Sequence, residues 1–305
     1  MDLRAKLPDP ARRVLLYGTT PPRLGTSAEN VAAAAEKLSA RLAGLALDGL
    51  VVYDIQDETG RTREPRPFPF VGTVDPREYA AFFKLPTIVY KALGNLDEAA
   101  WETWLFESAH AHRVHFISVV GRPTSGVRHA LPLSRALRLA ANHVARFTVG
   151  GVLIAERHDE RRSEAARLLA KGIEGCNYFI SQTVYQAAPT QRLLADYLRD
   201  CRGAGTEPQR VILTFAPCGR EKTLAFLRWL GVNVPAETER SILGASNPLA
   251  RSIEICRDNL RRILDGGYAG AIPLGVNVES VSINRDEIDA SIDLFHALRE
   301  VLEGR

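Results

Sequence analysis

Cysteine is scarce in this 305-residue chain. The four that occur, Cys176, Cys201, Cys218 and Cys256, share no CxxC or Cys/His spacing. That excludes a zinc knuckle and gives no disulfide framework, so each reads as a small apolar residue in a reducing compartment. Long apolar runs are missing too. No stretch approaches the ~20 residues that a membrane span requires, and the opening MDLRAKLPDPARR lacks the apolar segment of a signal peptide. A soluble, cytoplasmic protein with no membrane partner is expected. An excess of one charge sign is lacking as well: 39 Lys and Arg oppose 36 Asp and Glu, a net of +3, and the arginines are scattered instead of forming runs. A nucleic-acid groove is therefore not expected. HExxH, GxGxxG and the P-loop pattern do not occur, nor does a Ser-His-Asp set in a recognisable context.

What is present is alternation. The runs 13–20, 49–55, 86–93, 113–121, 150–156, 177–186, 209–217 and 270–280 are rich in Val, Ile and Phe, as parallel strands buried on both faces should be. Helical periodicity fills the gaps, as in ENVAAAAEKLSARLAGL at 29–45, with Thr26 and Ser27 placed to cap it. Eight such units predict one (β/α)8 barrel over residues 1–305. A helical insert, 219–265, separates strands seven and eight. The longest irregular segment, 56–75, follows strand two and is expected over the C-terminal mouth.

In a barrel the chemistry comes from residues just past each strand. Here they are Thr19, Thr20, Asp54, Gln56, Asp57, Glu58, Lys91, Arg122, Glu156, His158, Gln182, Tyr185, Phe215, Glu279, Asn284 and Arg285. Gln182, closing the apolar run YFIS, stands out: an amide carries both donors and an acceptor and suits the edge of a flat heterocycle better than it suits packing. Lys91 raises the alternative of a Schiff-base lyase. Asp54, Asp57, Glu58 and His158 are too loosely spaced to predict a metal site.

The segment AERHDERRSEAARLLAKGIEGCNYFISQTVYQ, 155–186, resembles the methylenetetrahydrofolate reductase family, which carries Pro-Glu-x-His-Pro-Glu after strand five and Thr-Gln-aromatic at the end of strand six. YGTTPPR at 17–23 is similar to the family's Glu-Phe-Phe-Pro-Pro start, TFAP at 214–217 to its Gly-Ile-x-Pro, and INRDE at 283–287 to its Leu-Asn-Arg-Ala-Glu. The likeness runs in order along nearly the whole chain. It implies a barrel that passes hydride from NADH or NADPH, through FAD or directly, to 5,10-methylenetetrahydrofolate. By position, Gln182 would contact the pterin, Tyr185 or Phe215 would stack on it, and Arg285 would face folate or nicotinamide. His158, Glu164 and Lys171 would lie along the flavin nucleotide, Lys171 near phosphate, with Arg122 and Glu156 on the same cofactor side.

Two departures stand out. The strand-one glutamate that the family uses as general acid falls on Gly18, and the aspartate after strand four falls on Arg122. A charge about 6 Å from a cationic pterin intermediate contributes about 3 kcal/mol at an effective dielectric near 20, so reversing its sign matters. A replacement acid is expected at Asp54 or Glu58. A barrel that binds folate or flavin without reducing it is the alternative.

Overall fold

The computed structural model describes residues 3–57, 66–94, 96–121, 130–159, 161 and 163–304. Eight parallel strands close into a barrel in sequential order. They are β1 (Val14–Thr19), β2 (Gly49–Val52), β3 (Thr87–Ala92), β4 (Phe116–Val120), β5 (Thr148–Leu153), β6 (Tyr178–Thr183), β7 (Arg210–Phe215) and β8 (Leu274–Glu279). The helices before β5 are α1 (Leu3–Lys6), α2 (Ala28–Leu42), α3 (Pro76–Ala80), α4 (Glu98–His110) and α5 (Leu133–Ala141). Beyond it come α6 (Glu164–Ile173), α7 (Ala187–Ala204), α8 (Glu221–Trp229), α9 (Ala236–Leu243), α10 (Pro248–Leu264) and α11 (Arg285–Glu303). The (β/α)8 architecture read from the sequence is the one observed, and α8 to α10 form the insert before the last strand.

Helix starts follow local chemistry. Ser27, Asp75, Asp97, Ser163, Asn247 and Asn284 each accept, through the side chain, a backbone N–H of the first turn that would otherwise lack a partner. Strand interiors follow the two-residue period. Leu16, Val51, Ile88, Tyr178, Ile180 and Ile212 point into the barrel, where Leu3 and Leu7 close its lower end. Arg210, fully buried at the first residue of β7, holds that plug in place. Its guanidinium donates to the carbonyls of Leu7 (2.7 Å), Lys6 (2.9 Å) and Leu274 (2.7 Å). The opposite residues of each strand face the helices and form the larger apolar layer.

Several strand ends differ from expectation: β4 begins at Phe116, β6 ends at Thr183 and β8 begins at Leu274, and two further ends have a visible cause. β2 stops at Val52 instead of residue 55, because Tyr53 and Asp54 turn into the mouth. β5 stops at Leu153, and Ala155–Arg157 winds into a 3-10 turn. Of the long segment after β2, residues 66–74 cross the β1–α2 turn, where the N–H of Leu24 donates to Gly72 (2.8 Å) and that of Val74 to Pro22 (2.9 Å). Phe68 then rests edge-on against Phe226 of α8, ring centres 5.7 Å apart. No described helix is long and apolar enough to cross a membrane.

Candidate functional site

At the C-terminal ends of the strands lies a cavity of about 610 Å³. Its floor is Tyr53, Tyr90, Thr183, Thr214 and Glu279. From there it runs outward over β4 and β5 between α5 and α6, past Leu133, Leu137, Ala170 and Lys171. The space is thus elongated, with a polar head over the barrel axis and a largely apolar trough beside it.

A strand defect shapes the head. β6 and β7 pair in register from Tyr178–Arg210 to Ile180–Ile212, but Thr183 then opposes Thr214, one residue late. The extra residue is a bulge at Ser181–Gln182. Ser181 stitches it, its hydroxyl accepting the N–H of Thr214 (2.8 Å) and donating to the carbonyl of Gln182 (2.7 Å). Strict alternation would send every second side chain away from the mouth; the bulge lets Ser181, Gln182 and Thr183 all line it. The Nε2 of Gln182 donates to the carbonyl of Leu230 at 2.6 Å, while its Oε1 is buried and has no partner in the protein. An acceptor in that state costs about 1–3 kcal/mol unless a ligand N–H or O–H reaches it.

Two carboxyls face the cavity head. Asp54 accepts from the N–H of Ala92 at 2.9 Å and from Gln56 Nε2 at 2.8 Å. Burial nevertheless pushes its pKa up, outweighing those bonds and the nearby Lys91. Glu279, the last residue of β8, has only hydroxyl partners: Thr183 Oγ1 at 3.1 Å and the Tyr53 hydroxyl. Burial raises its pKa above the ordinary 4.5, and these two hydrogen bonds only moderate the rise. Tyr53 is itself held far above the usual phenol range by burial, then by Glu279, and its hydroxyl accepts from Asn277 Nδ2 at 2.9 Å.

The trough beside α6 has a different electrostatic character. Glu164 is almost fully buried and sits 3.4 Å from Arg167 Nη1 and 4.0 Å from Lys171 Nζ. Lys171 turns its ammonium onto the carbonyl of Val152 at 2.6 Å, and burial lowers its pKa despite Glu164. Glu174, at the same wall, takes both its bonds from Arg138 Nη1, at 2.7 and 2.8 Å.

Among the residues singled out from the sequence, Asp54, Gln182, Glu164, Lys171 and Glu279 come together on the cavity wall. Glu58 and Arg122 lie outside the described residues. The others are placed elsewhere. Phe215 is fully buried on the helix-facing side of β7, since the residue pointing inward there is Thr214. Tyr185 is buried in the same outer layer, its hydroxyl donating to Ala216 at 2.6 Å. Neither offers a ring to a ligand in the mouth. The side chain of Arg285 is 87% exposed and pairs with Asp289 at 3.5 Å, along the surface of α11. His158 bonds Asp196 at 2.8 Å through Nε2, and neither it nor Glu156 lines the cavity. Burial raises the pKa of Glu156. Lys91 is not among the residues lining the cavity, and its ammonium lies 5.8 Å from the centre of the Trp104 ring.

The described residues assigned by resemblance to a flavin nucleotide therefore do not assemble into a cationic cradle for its diphosphate. Lys171 is the one positive group among them at the cavity, and it is turned inward onto Val152 and Glu164. Among the described residues no group of three or more His, Cys, Asp or Glu side chains is arranged to hold a metal ion.

Sequence reasoning located Glu279 at a strand end but gave it no role, and it passed over Tyr53 and Thr183. The signal was in the alternation of β8. Val276 and Val278 face the helices, so Asn277 and Glu279 are polar residues at inward positions of a buried strand.

No protein-family profile matches the chain, and no curated protein matches it in sequence. Solved structures do. An uncharacterized protein from Clostridium thermocellum, described as binding two copies of 5-methyl-5,6,7,8-tetrahydrofolic acid, is 29% identical with a TM-score of 0.79, over 95% of this chain and 96% of that one. The apo form of MsnO8 is 14% identical with a TM-score of 0.54, over 96% of this chain and 99% of that one, and shares the fold alone.

Proposed function

We propose that this chain binds a reduced folate in the cavity. The observation that carries the reading is the partnerless Oε1 of Gln182, in a cavity that the half-buried carboxyl of Asp54 and the apolar side chains of Leu133 and Leu137 also line. A reduced pterin presents ring N–H and amino donors at one edge, which two fixed acceptors match; its aminobenzoyl arm needs an apolar slot, and its glutamate tail needs cations at the outer end. Leu133 and Leu137 supply the slot, and Arg157 and Arg167 line the same cavity farther out. The volume lies within the ordinary range for a small-molecule site. The Clostridium thermocellum protein, alike over nearly its whole length, supports the ligand class.

The finer reading is reduction of 5,10-methylenetetrahydrofolate to the 5-methyl form by hydride from NADH or NADPH. The family resemblance supports it, and so does an acid in the cavity head. We propose direct transfer from a dihydronicotinamide, without bound flavin, because Lys171, the cation that the resemblance aligns with the flavin phosphate, is turned inward onto Val152 and Glu164. Titration calorimetry with 5-methyltetrahydrofolate tests the ligand class: saturable micromolar or tighter binding is expected, and no heat at millimolar folate overturns it. An absorbance scan of the same sample, followed by NAD(P)H oxidation with methylenetetrahydrofolate, tests the reaction. A flavin band near 450 nm would contradict direct transfer.

A further inference from the structure

The family's strand-one acid is missing here because Gly18 occupies its position, and the structure shows what fills the gap. Gly18 pairs in register with Glu279 on the adjacent strand β8. A Cβ built on Gly18 would lie 2.8 Å from the Tyr53 hydroxyl and 3.1 Å from the Cβ of Glu279. The space that a strand-one side chain would need is thus already taken by Tyr53 and by a carboxyl entering from the neighbouring strand. The exchange is reciprocal: glycine on β1 is the condition for Glu279 to stand at the cavity floor.

We propose that Glu279 is the catalytic proton donor of this site, its carboxyl held over the cavity by Thr183 and Tyr53. The role rests on reading the site as a folate site. Burial favours its protonated form. Its hydrogen-bond partners are the hydroxyls of Tyr53 and Thr183, the Tyr90 phenol lies on the same cavity wall, and Tyr17 and Tyr185 are more distant phenols on the helix-facing side; none of these is a cation. Asp54, the acid expected from the sequence, already takes hydrogen bonds on both oxygens and serves as an acceptor.

In the reaction, the proton of the Glu279 carboxyl passes to N10 of the five-membered ring of methylenetetrahydrofolate. The bond from the bridging carbon to N10 breaks and its electron pair stays on N10. The carbon remains on N5 as an iminium. The dihydronicotinamide delivers hydride to that carbon, giving the N5-methyl group and oxidised nicotinamide. The Glu279 carboxylate then recovers a proton from water. One proton and one hydride are consumed per turnover.

The test measures 5-methyltetrahydrofolate affinity and NAD(P)H-dependent turnover on the whole protein, wild type against Glu279→Gln, which keeps size and a hydrogen-bond donor but has no proton to give. Binding within about threefold of wild type with turnover reduced about 100-fold or more is expected, the range that a general acid supplies. The wild-type pH profile gives a second readout that needs no variant. Turnover should decline as pH rises through the raised pKa of the acid, and a profile with no decline on the alkaline side would overturn the role. Undiminished turnover in Glu279→Gln, or a wild type that binds folate without reducing it, would overturn the role of Glu279 while leaving folate binding intact. A wild type that binds no folate would overturn the ligand class, and this role with it.

Discussion

The two ends of the cavity bury acids in opposite ways. At the α6 end, Glu164 is paired with Arg167 and Lys171, and the charges compensate one another inside the protein. At the β8 end, Glu279 is surrounded by hydroxyls and phenols with no cation to stabilise an anion. A counter-ion offsets the cost of burying a carboxylate, whereas burial without one favours the neutral acid, the form that can donate a proton. On the proposed reading, the first end is built for structure and the second for chemistry. A residue's position at a strand terminus says less about its use than whether a cation shares its cavity.

The largest expected effect sharpens the structural half of that contrast. Glu164→Ala leaves the Lys171 ammonium buried with only the Val152 carbonyl, and removing one partner of a buried pair costs about 3–5 kcal/mol. A fall of that size should appear in urea unfolding. Adding Lys171→Met to the same chain should recover most of it, because the second change removes the stranded charge. If the double variant is no more stable than Glu164→Ala, the pair is not what holds α6 against β5.

Gln182→Ala tests the chemical half. The variant removes an acceptor that lacks a partner in the protein, so folding should change little while affinity for 5-methyltetrahydrofolate falls by about 1–3 kcal/mol. Calorimetry on both forms decides it; equal affinity would mean that the amide belongs to the bulge and not to the ligand.

How much of this was legible beforehand depended on period. The barrel was readable because eight apolar runs alternated with amphipathic helices, and strand-end residues could be named from that alone. Parity within a strand was readable too, yet it separates Thr214, which faces in, from Phe215, which packs against helices, and the aromatic character of Phe215 pointed the wrong way. The bulge at Ser181–Gln182 was not readable, since nothing in YFISQT distinguishes a regular strand from one with an inserted residue. The exchange between Gly18 and Glu279 was hidden for another reason. The two are 261 positions apart in sequence and meet only because the barrel closes β8 onto β1. The glycine that the resemblance aligns with an acid on one strand meets a glutamate on the next, and only the register shows that the two are neighbours.

A third prediction concerns pH. Glu279 titrates above 4.5 when folded and near the ordinary value when unfolded. Above that ordinary value the unfolded chain gives up the proton while the folded one keeps it. Wild-type stability therefore loses ground as pH rises from 4.5 towards the folded value. Glu279→Gln removes this dependence, so its stability relative to wild type should grow by about 1.4 kcal/mol per pH unit within that window and level off above it. Urea midpoints of both proteins at several pH values measure it. A difference that stays constant with pH would mean Glu279 ionises like a surface carboxyl, and the contrast between the two ends of the cavity would collapse.

The smallest effect is expected at Arg285, and it marks where the site stops. The resemblance puts an arginine on the folate or nicotinamide at this point in the chain, and the structure puts its side chain in solvent at the first turn of α11, paired along one helix face with Asp289. An exposed pair at that spacing contributes about 0.3–0.5 kcal/mol. Arg285→Ala should therefore change stability by no more than that, and leave both folate affinity and the Michaelis constant for NAD(P)H within about twofold, below the 1.4 kcal/mol of a tenfold effect. A larger loss of nicotinamide affinity would show that α11 forms part of the dinucleotide path. The chemical half of the molecule would then extend from the barrel floor out over the helix that follows β8, instead of ending at Glu279.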